Sequence, residues 1–292
     1  MEDRILGEGI ARQELNLVFV IDNSGSMEGE KLGAVNNAIR DVMSIMPEIQ
    51  EDTSDATIKI SALTFSDSAK WVYSEPKHVG DFKWTDVEAE GGTNLSDAYE
   101  KLAKWLTKRE NGGHMPDIGG VAPIIILMTD GMPTSYDWAD KLALLKKKGW
   151  FKVALKYALA IGIDTQEAMD VLSKFTSNPE TVLKVYTAEA LRKVIKVIAV
   201  TASKVKSNSS TVSFGGAGVN NNEVAQTEIA EKLDDVKDEE WQGARMDKIA
   251  KQRLNLIILV DCSKSMQGER IRQVNSALRG VKTLLVAMQI HN

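Results

Sequence analysis

The chain has 292 residues, of which 43% are hydrophobic and 26% are charged, a composition that excludes collagen, coiled coils and extended disorder. Its net charge of -5 gives no support for nonspecific binding to nucleic acid, and the longest apolar run, 121–128, is too short to span a membrane. We therefore expect no nucleic-acid partner and no membrane insertion. The single cysteine, Cys262, cannot form an internal disulfide, and residues 1–13 lack the basic start and apolar run of a secretory signal, so we expect a cytoplasmic protein.

Short apolar runs alternate with helical patterns along the first two-thirds of the chain. The run Leu15–Ile21 is nearly continuous, as in a parallel strand covered on both faces, and apolar residues at helical spacing follow it from Leu32 to Met46. The later predictions, in chain order, are strands at 57–65 and 69–74 joined as a hairpin, a helix over 95–105, a strand at 123–129, a helix over 138–145, a strand at 151–161, a helix over 169–175, a strand at 182–186 and a helix over 191–202. This alternation predicts an α/β fold with a doubly wound, mostly parallel sheet and helices on both faces.

An internal repeat defines the predicted domain organisation. Residues 15–49 align without gaps on residues 254–288, with 14 identities in 35 positions. From residue 207 the chain becomes rich in Ser, Asn and Gly, which is typical of a linker, and an acidic segment follows at 223–240. We predict a first domain at 13–206, a linker with the acidic segment at 207–253, and a partial repeat of the first strand and helix at 254–292.

Oxygen-bearing side chains concentrate in three loops of this pattern. The loops are Asp22-Asn23-Ser24-Gly25-Ser26 after the first strand, Gly91-Gly92-Thr93-Asn94 before a helix, and Thr129-Asp130-Gly131 after the strand at 123–129. Ligands of open α/β sheets bind at the carboxyl ends of strands. The loops offer two carboxylates and three hydroxyls there, hard oxygen ligands that suit Mg²⁺ or Mn²⁺ and argue against zinc. Each motif alone is also typical of a turn or a helix cap, but their combination favours a metal site with an open coordination position.

The three motifs, in this order and on this strand pattern, resemble the metal-ion-dependent adhesion site (MIDAS) of a von Willebrand factor A (vWA) domain. The resemblance covers about residues 13–206, and it implies that hydroxyls bind the cation and that the acids bind it directly or through water. Carried over residue by residue, the metal ligands are Asp22, Ser24, Ser26, Thr93 and Asp130. The strings DNSGSM, GGTNL and TDGMPTSYDW resemble the intracellular bacterial, tellurite-resistance-type branch more than extracellular adhesion receptors.

Other chemistries find less support in the sequence. A phosphatase with an aspartate nucleophile needs a second acid two residues after the first, where this chain has Ser24. The segment after Gly25 does not match a phosphate-binding loop, and the histidines, His78, His114 and His291, are scattered without a visible relay to a serine. We therefore predict a protein that is not an enzyme. The alternative is a metal-assisted hydrolase or an ATPase-linked, chelatase-type subunit.

The predicted function is a divalent-cation-dependent protein–protein interaction module with Mg²⁺ or Mn²⁺ as cofactor. A protein partner presents an Asp or Glu to the open coordination position. The second copy of the repeat keeps Asp261, Ser263 and Ser265, but it carries Lys264 where the first copy has Gly25, which disfavours a metal there. Its apolar strand needs cover, so we expect residues 254–288 to pack either on the first domain or on another chain, and packing on another chain would give self-association.

Overall fold

The computed structural model describes residues 13–52, 56–117, 120–163, 165–207 and 221–234. The second copy of the repeat, and with it the prediction of self-association, lies outside these residues. No helix in the described ranges combines the length and the apolar character that crossing a membrane requires.

A single mixed β-sheet lies at the centre of the described part of the chain. Its seven strands are β1 (Gln13–Asp22), β2 (Ala56–Phe65), β3 (Ala69–Trp71), β4 (Lys77–His78), β5 (Ile124–Thr129), β6 (Leu155–Ile161) and β7 (Val182–Val185). They lie in the order β3-β2-β1-β5-β6-β7, and β4 also pairs with β2. The central strands β2, β1, β5, β6 and β7 are parallel, whereas β3 and β4 run antiparallel to β2. The predicted doubly wound, mostly parallel sheet is therefore confirmed.

Helices cover both faces of this sheet. They are α1 (Glu30–Glu51), α2 (Leu95–Trp105), α3 (Trp138–Lys146), α4 (Gly149–Val153), α5 (Gln166–Thr176), α6 (Ala188–Ser207) and α7 (Asn221–Asp234). Residues of α1, α6 and α7 form one buried cluster with the sheet, and residues of α2, α3, α4 and α5 form the other. Strand β1 contributes to both clusters, since Leu17 and Phe19 face the first and Val18 and Val20 face the second. This double burial explains why its sequence is a nearly continuous apolar run.

The segment predicted as a strand over 151–161 begins with a helix instead. Helix α4 buries Trp150 and Phe151 against the second cluster, and β6 starts only at Leu155, whose N–H donates to the carbonyl of Pro123 (2.9 Å). A short apolar run does not by itself distinguish a buried helical turn from a buried strand.

Part of the segment predicted as a linker is a packed helix. Helix α7 lies against α6 and buries Ala225, Ile229 and Leu233, which are spaced four residues apart. The Asn222 side chain also donates to the carbonyl of Val153 (3.1 Å). Packed structure thus continues past residue 206, and the predicted domain boundaries stay a prediction for the rest of the chain.

The strand order creates a crevice beside β1. The chain leaves β1 through α1 to reach β2 on one side, and it later returns to β5 on the other side. Open α/β sheets bind ligands at the carboxyl ends of strands where the order reverses in this way. The loops after β1 and β5 meet at this place.

Candidate metal centre

Asp22 lies at the base of the crevice and joins the loops after β1 and β5. One carboxylate oxygen, Oδ1, accepts a hydrogen bond from the backbone N–H of Ser24 (2.8 Å), and Oδ2 accepts one from Thr129 Oγ1 (2.5 Å). The residue has no exposed surface. Burial raises the pKa of Asp22, as does the nearby Asp130 carboxylate, and the hydrogen bonds from Ser24 and Thr129 oppose the shift.

Two serine hydroxyls and a second carboxylate lie directly above this base. The Oγ atoms of Ser24 and Ser26 are 3.0 Å apart, and the Ser26 hydroxyl donates to Asp130 Oδ1 at 2.7 Å. Ser24 and Asp130 are buried, whereas Ser26 is exposed. The cluster is therefore open to solvent on the Ser26 side.

Thr93 completes the group from the loop before α2. A methyl group placed on Gly131 would lie 3.5 Å from Thr93 Oγ1 and 3.7 Å from Ser26 Oγ, so the two hydroxyls border the same small space. Thr134 fixes this loop, because its backbone N–H donates to the Thr93 carbonyl (2.9 Å) and its Oγ1 accepts from the Thr93 N–H (3.2 Å). All five residues that the sequence predicted as ligands are thus brought together.

Asp67, in the turn between β2 and β3, positions the Thr93 loop. Its Oδ1 accepts a hydrogen bond from the Gly92 N–H (2.7 Å), and its carbonyl accepts one from Asn94 Nδ2 (3.0 Å). Gly91 adopts a φ of +61°, and a Cβ atom there would lie 2.4 Å from Asp67 Oδ2. Glycine is required at this position by both its backbone angle and the close carboxylate. The sequence analysis did not identify Asp67 as part of the site.

Lys31 is a second residue that the sequence analysis missed. It lies in the first turn of α1, and its ammonium donates to Asp130 Oδ2 and to the backbone carbonyl of Ser26 (3.2 Å). No motif or spacing in the sequence indicated this contact, which joins positions 99 residues apart.

The donor set fits a hard divalent cation. Three hydroxyls and two carboxylates supply oxygen alone, as Mg²⁺ and Mn²⁺ prefer. In the part of the chain that the structure describes, no group of three or more His, Cys, Asp or Glu side chains is placed to hold a metal. A centre at this position therefore depends on the serine and threonine hydroxyls.

The two described histidines lie away from this centre. His78 is in β4, where it pairs with Lys59, and His114 contacts Glu75 (3.0 Å) and the ring of Trp105. The third, His291, lies outside the described residues. The hydroxyl cluster therefore has no imidazole base among the described side chains.

A family model decides the classification. The model of the von Willebrand factor type A domain matches residues 16–199, which is more than half of the chain and spans β1 through most of α6. The chain belongs to the vWA domain family. Domains of this family are commonly metal-dependent protein–protein interaction modules.

Known relatives of this vWA protein include inter-alpha-trypsin inhibitor heavy chain H4 of Bos taurus, which is 31% identical over 121 residues. The match covers 41% of this chain and 13% of that relative, so the chain spans only a small part of the relative's length. Among solved structures, the open conformation of the pilus adhesin SpaC of Lactobacillus rhamnosus GG has a TM-score of 0.52 at 14% identity, covering 67% of this chain and 30% of that chain. The structure of proximal thread matrix protein 1 from the mussel byssus, with a zinc-occupied MIDAS motif, has a TM-score of 0.46 at 17% identity. The match covers 66% of this chain and 46% of that chain.

These relatives overturn one expectation from the sequence. The expected cytoplasmic location is wrong, because the inter-alpha-trypsin inhibitor heavy chains are secreted extracellular proteins and point away from the cytoplasm. The inference from Cys262 failed because a fold with a large apolar core needs no disulfide in any compartment.

Proposed function

We propose that this vWA domain binds Mg²⁺ or Mn²⁺ through the hydroxyls of Ser24, Ser26 and Thr93 and through Asp130, with Asp22 holding the serine loop from below. The observation that carries the proposal is the convergence of these side chains at one solvent-facing point, on loops held by hydrogen bonds to Asp22 and Thr134. The centre corresponds to the MIDAS of the family.

We further propose that the centre captures a carboxylate of a protein partner. The cation, when bound, supplies an electrophilic centre for an anionic oxygen, since neutral hydroxyls leave much of its charge unbalanced. The loop after β5 carries the exposed side chains of Met132 and Tyr136, which are 42% and 104% exposed. Met132 lies two residues after Asp130, and Tyr136 lines a surface pocket together with Asn94, the neighbour of Thr93. Both side chains are therefore suited to contact the partner around its Asp or Glu.

Binding rather than catalysis is the better-supported function. Domains of this family are commonly metal-dependent protein–protein interaction modules, and the inter-alpha-trypsin inhibitor heavy chains that this chain resembles are not hydrolases. The narrower resemblance to the tellurite-resistance-type branch has no support in the relatives and stays a prediction of the sequence.

Isothermal titration calorimetry tests the metal proposal. We expect the full chain to bind Mg²⁺ or Mn²⁺ at one site and the double variant Ser24→Ala, Asp130→Ala to lose binding. The control is Ser44→Ala, Asp140→Ala, which removes the same two functional groups from exposed positions in α1 and α3. Equal affinity in wild type and the Ser24, Asp130 variant would show that the cation binds elsewhere.

Selection from a random peptide library tests the partner proposal. We expect peptides recovered with Mg²⁺ present, and released by chelator, to share an Asp or Glu whose change to Asn or Gln removes binding. Peptides that bind equally with chelator, or that share no acidic residue, would refute carboxylate capture without bearing on the metal.

A further inference from the structure

The ammonium of Lys31 occupies part of the candidate centre. It contacts Asp130 Oδ2 and the carbonyl of Ser26, so it touches two of the five predicted ligand residues. The Asp130 side chain has no exposed surface, whereas the Lys31 side chain is 40% exposed. A partly exposed cationic side chain is thus paired with a fully buried carboxylate.

This ion pair and a bound dication need the same carboxylate. Asp130 Oδ1 accepts from Ser26 and Oδ2 accepts from Lys31, so the ammonium lies on the carboxylate that the cation would bind. A dication on Asp130 and the ammonium would lie within a few ångströms of each other, where like charges repel strongly at a partly buried site. Both positive charges are therefore not accommodated at once.

The Lys31 stem is able to withdraw without moving its helix. Its backbone is in the first turn of α1, and its Cε passes 3.5 Å from where a Cβ on Gly162 would lie, so the stem runs over a glycine at the end of β6. Four rotatable bonds separate the ammonium from the backbone. Rotation about these bonds takes the charge to solvent.

We propose that Lys31 is a tethered counter-cation that neutralises the metal-free centre and that a divalent cation displaces on binding. The proposal rests on the metal binding proposed above. Lys31 then sets the concentration of free cation at which the centre fills, because an ammonium that occupies the centre about 90% of the time lowers the apparent affinity about tenfold. A monovalent cation gains little over the ammonium already present, so the centre favours dications.

Calorimetry and thermal unfolding of two variants test whether Lys31 lowers the affinity for the cation and stabilises the metal-free protein. Lys31→Met keeps the length of the stem and removes its charge, and we expect it to bind Mg²⁺ or Mn²⁺ about tenfold more tightly than wild type. Without metal it should unfold at a lower temperature, because buried Asp130 loses its ammonium. The control is Lys59→Met, which removes a lysine from an ion pair with Glu14 near the opposite end of the sheet and should leave the metal affinity unchanged.

Labelling of lysine amines in the wild-type chain tests displacement directly. Peptide mass spectrometry after brief acylation with an N-hydroxysuccinimide ester reports the reactivity of each lysine. We expect saturating Mg²⁺ to increase labelling of Lys31 several-fold and to leave Lys59 unchanged. This measurement needs no variant, so it does not depend on Lys31→Met folding normally.

The outcomes separate this proposal from the one it rests on. If wild type binds metal but Lys31→Met binds it no more tightly, or if Mg²⁺ leaves Lys31 labelling unchanged, Lys31 is not displaced and only the present proposal fails. If neither protein binds metal, both proposals fail.

Discussion

The ionised Asp22 carboxylate destabilises the folded protein when no cation is bound. Burial raises its pKa above the usual range, so the folded state holds the proton more tightly than the unfolded state does. The ionised form therefore lowers stability at neutral pH, and this loss is relieved as the pH falls through the raised pKa. A bound dication relieves it in another way, by neutralising the charge.

Asp22→Asn should separate stability from metal binding. The amide keeps an oxygen for the Ser24 N–H and removes the buried charge, and the Thr129 hydroxyl can accept from the new NH2 while donating to the Gly131 carbonyl (3.4 Å). We therefore expect the metal-free variant to be more stable than wild type at neutral pH, with a higher Tm. We expect the increase in Tm that Mg²⁺ causes in wild type to become smaller, because the negative charge below the cation is lost. Differential scanning fluorimetry with and without Mg²⁺ measures both effects, and a variant with the full wild-type increase would contradict the role of the Asp22 charge.

The pH dependence of folding stability should also reflect Lys156, which lies far from the candidate centre. This lysine of β6 is buried, and its ammonium donates to the carbonyls of Phe151 (2.9 Å) and Ala154 (3.1 Å). Burial lowers the pKa of Lys156 to about 8, with a smaller contribution from Lys146. Between this value and the ordinary lysine pKa the unfolded chain binds more protons than the folded one, so stability rises with pH.

We expect the wild type to gain up to about 3 kcal/mol relative to Lys156→Met between about pH 8 and about pH 10.5. Urea unfolding at several pH values in this range gives the difference, and the comparison cancels the titration of other groups. Parallel stability curves for the two proteins would show that the pKa of Lys156 is not lowered.

The site residues divide by how the sequence encodes them. Asp22, Ser24 and Ser26 lie within five consecutive positions after an apolar strand, and this local pattern predicted them. Lys31 and Asp67 act through contacts with residues 99 and 25 positions away, and neither has a local signature. The sequence could therefore predict which side chains gather at the candidate centre, but not Lys31 and Asp67, which contact the site from distant positions.

At the scale of elements, periodicity predicted the sheet and most helices because each buries a regular face. The departures are helices α4 and α7 and the two-residue strand β4, none of which was predicted. Helix α4 spans only Gly149–Val153, too short to show helical periodicity. In α7 the buried positions include Ala225, and acidic residues fill much of the remaining surface, so composition alone suggested a solvated segment. Its role depends on the apolar surface of α6, which the local sequence does not reveal.

Helix α7 should contribute measurably to the stability of the vWA domain. We expect Ile229→Ala to lower the free energy of unfolding by about 2–4 kcal/mol, because Ile229 is fully buried against the first core cluster. The control is Val224→Ala in the same helix, where the side chain is 42% exposed and the expected change is within about 0.5 kcal/mol. Urea unfolding measures both, and equal stability of the two variants would mean that α7 is not packed in solution.

At the scale of the whole molecule, the two core clusters stabilise the fold and the loops form the site. Removing a cation held at about 100 times its Kd should therefore lower stability by only about 2.7 kcal/mol, or about 5–10 °C in Tm. We expect chelator to abolish peptide capture while the circular dichroism spectrum at room temperature stays that of the folded protein. Loss of the folded spectrum on chelation would make the cation structural and remove the main support for docking.

The last prediction concerns residues 254–288, which repeat the first strand and helix of the vWA domain. The strand predicted at 254–260 is apolar throughout most of its length, and an uncovered strand of this kind is adhesive. We expect the 292-residue chain to self-associate in a concentration-dependent way and the chain cut after Asp234, which keeps α7, to be monomeric in sedimentation velocity. Ile258→Asp should weaken association, because it places a charge within the apolar run 254–260. Gln273→Asp replaces a residue that is already polar, and we expect it to leave association unchanged. If the full and shortened chains sediment as monomers at every concentration, these residues do not mediate self-association.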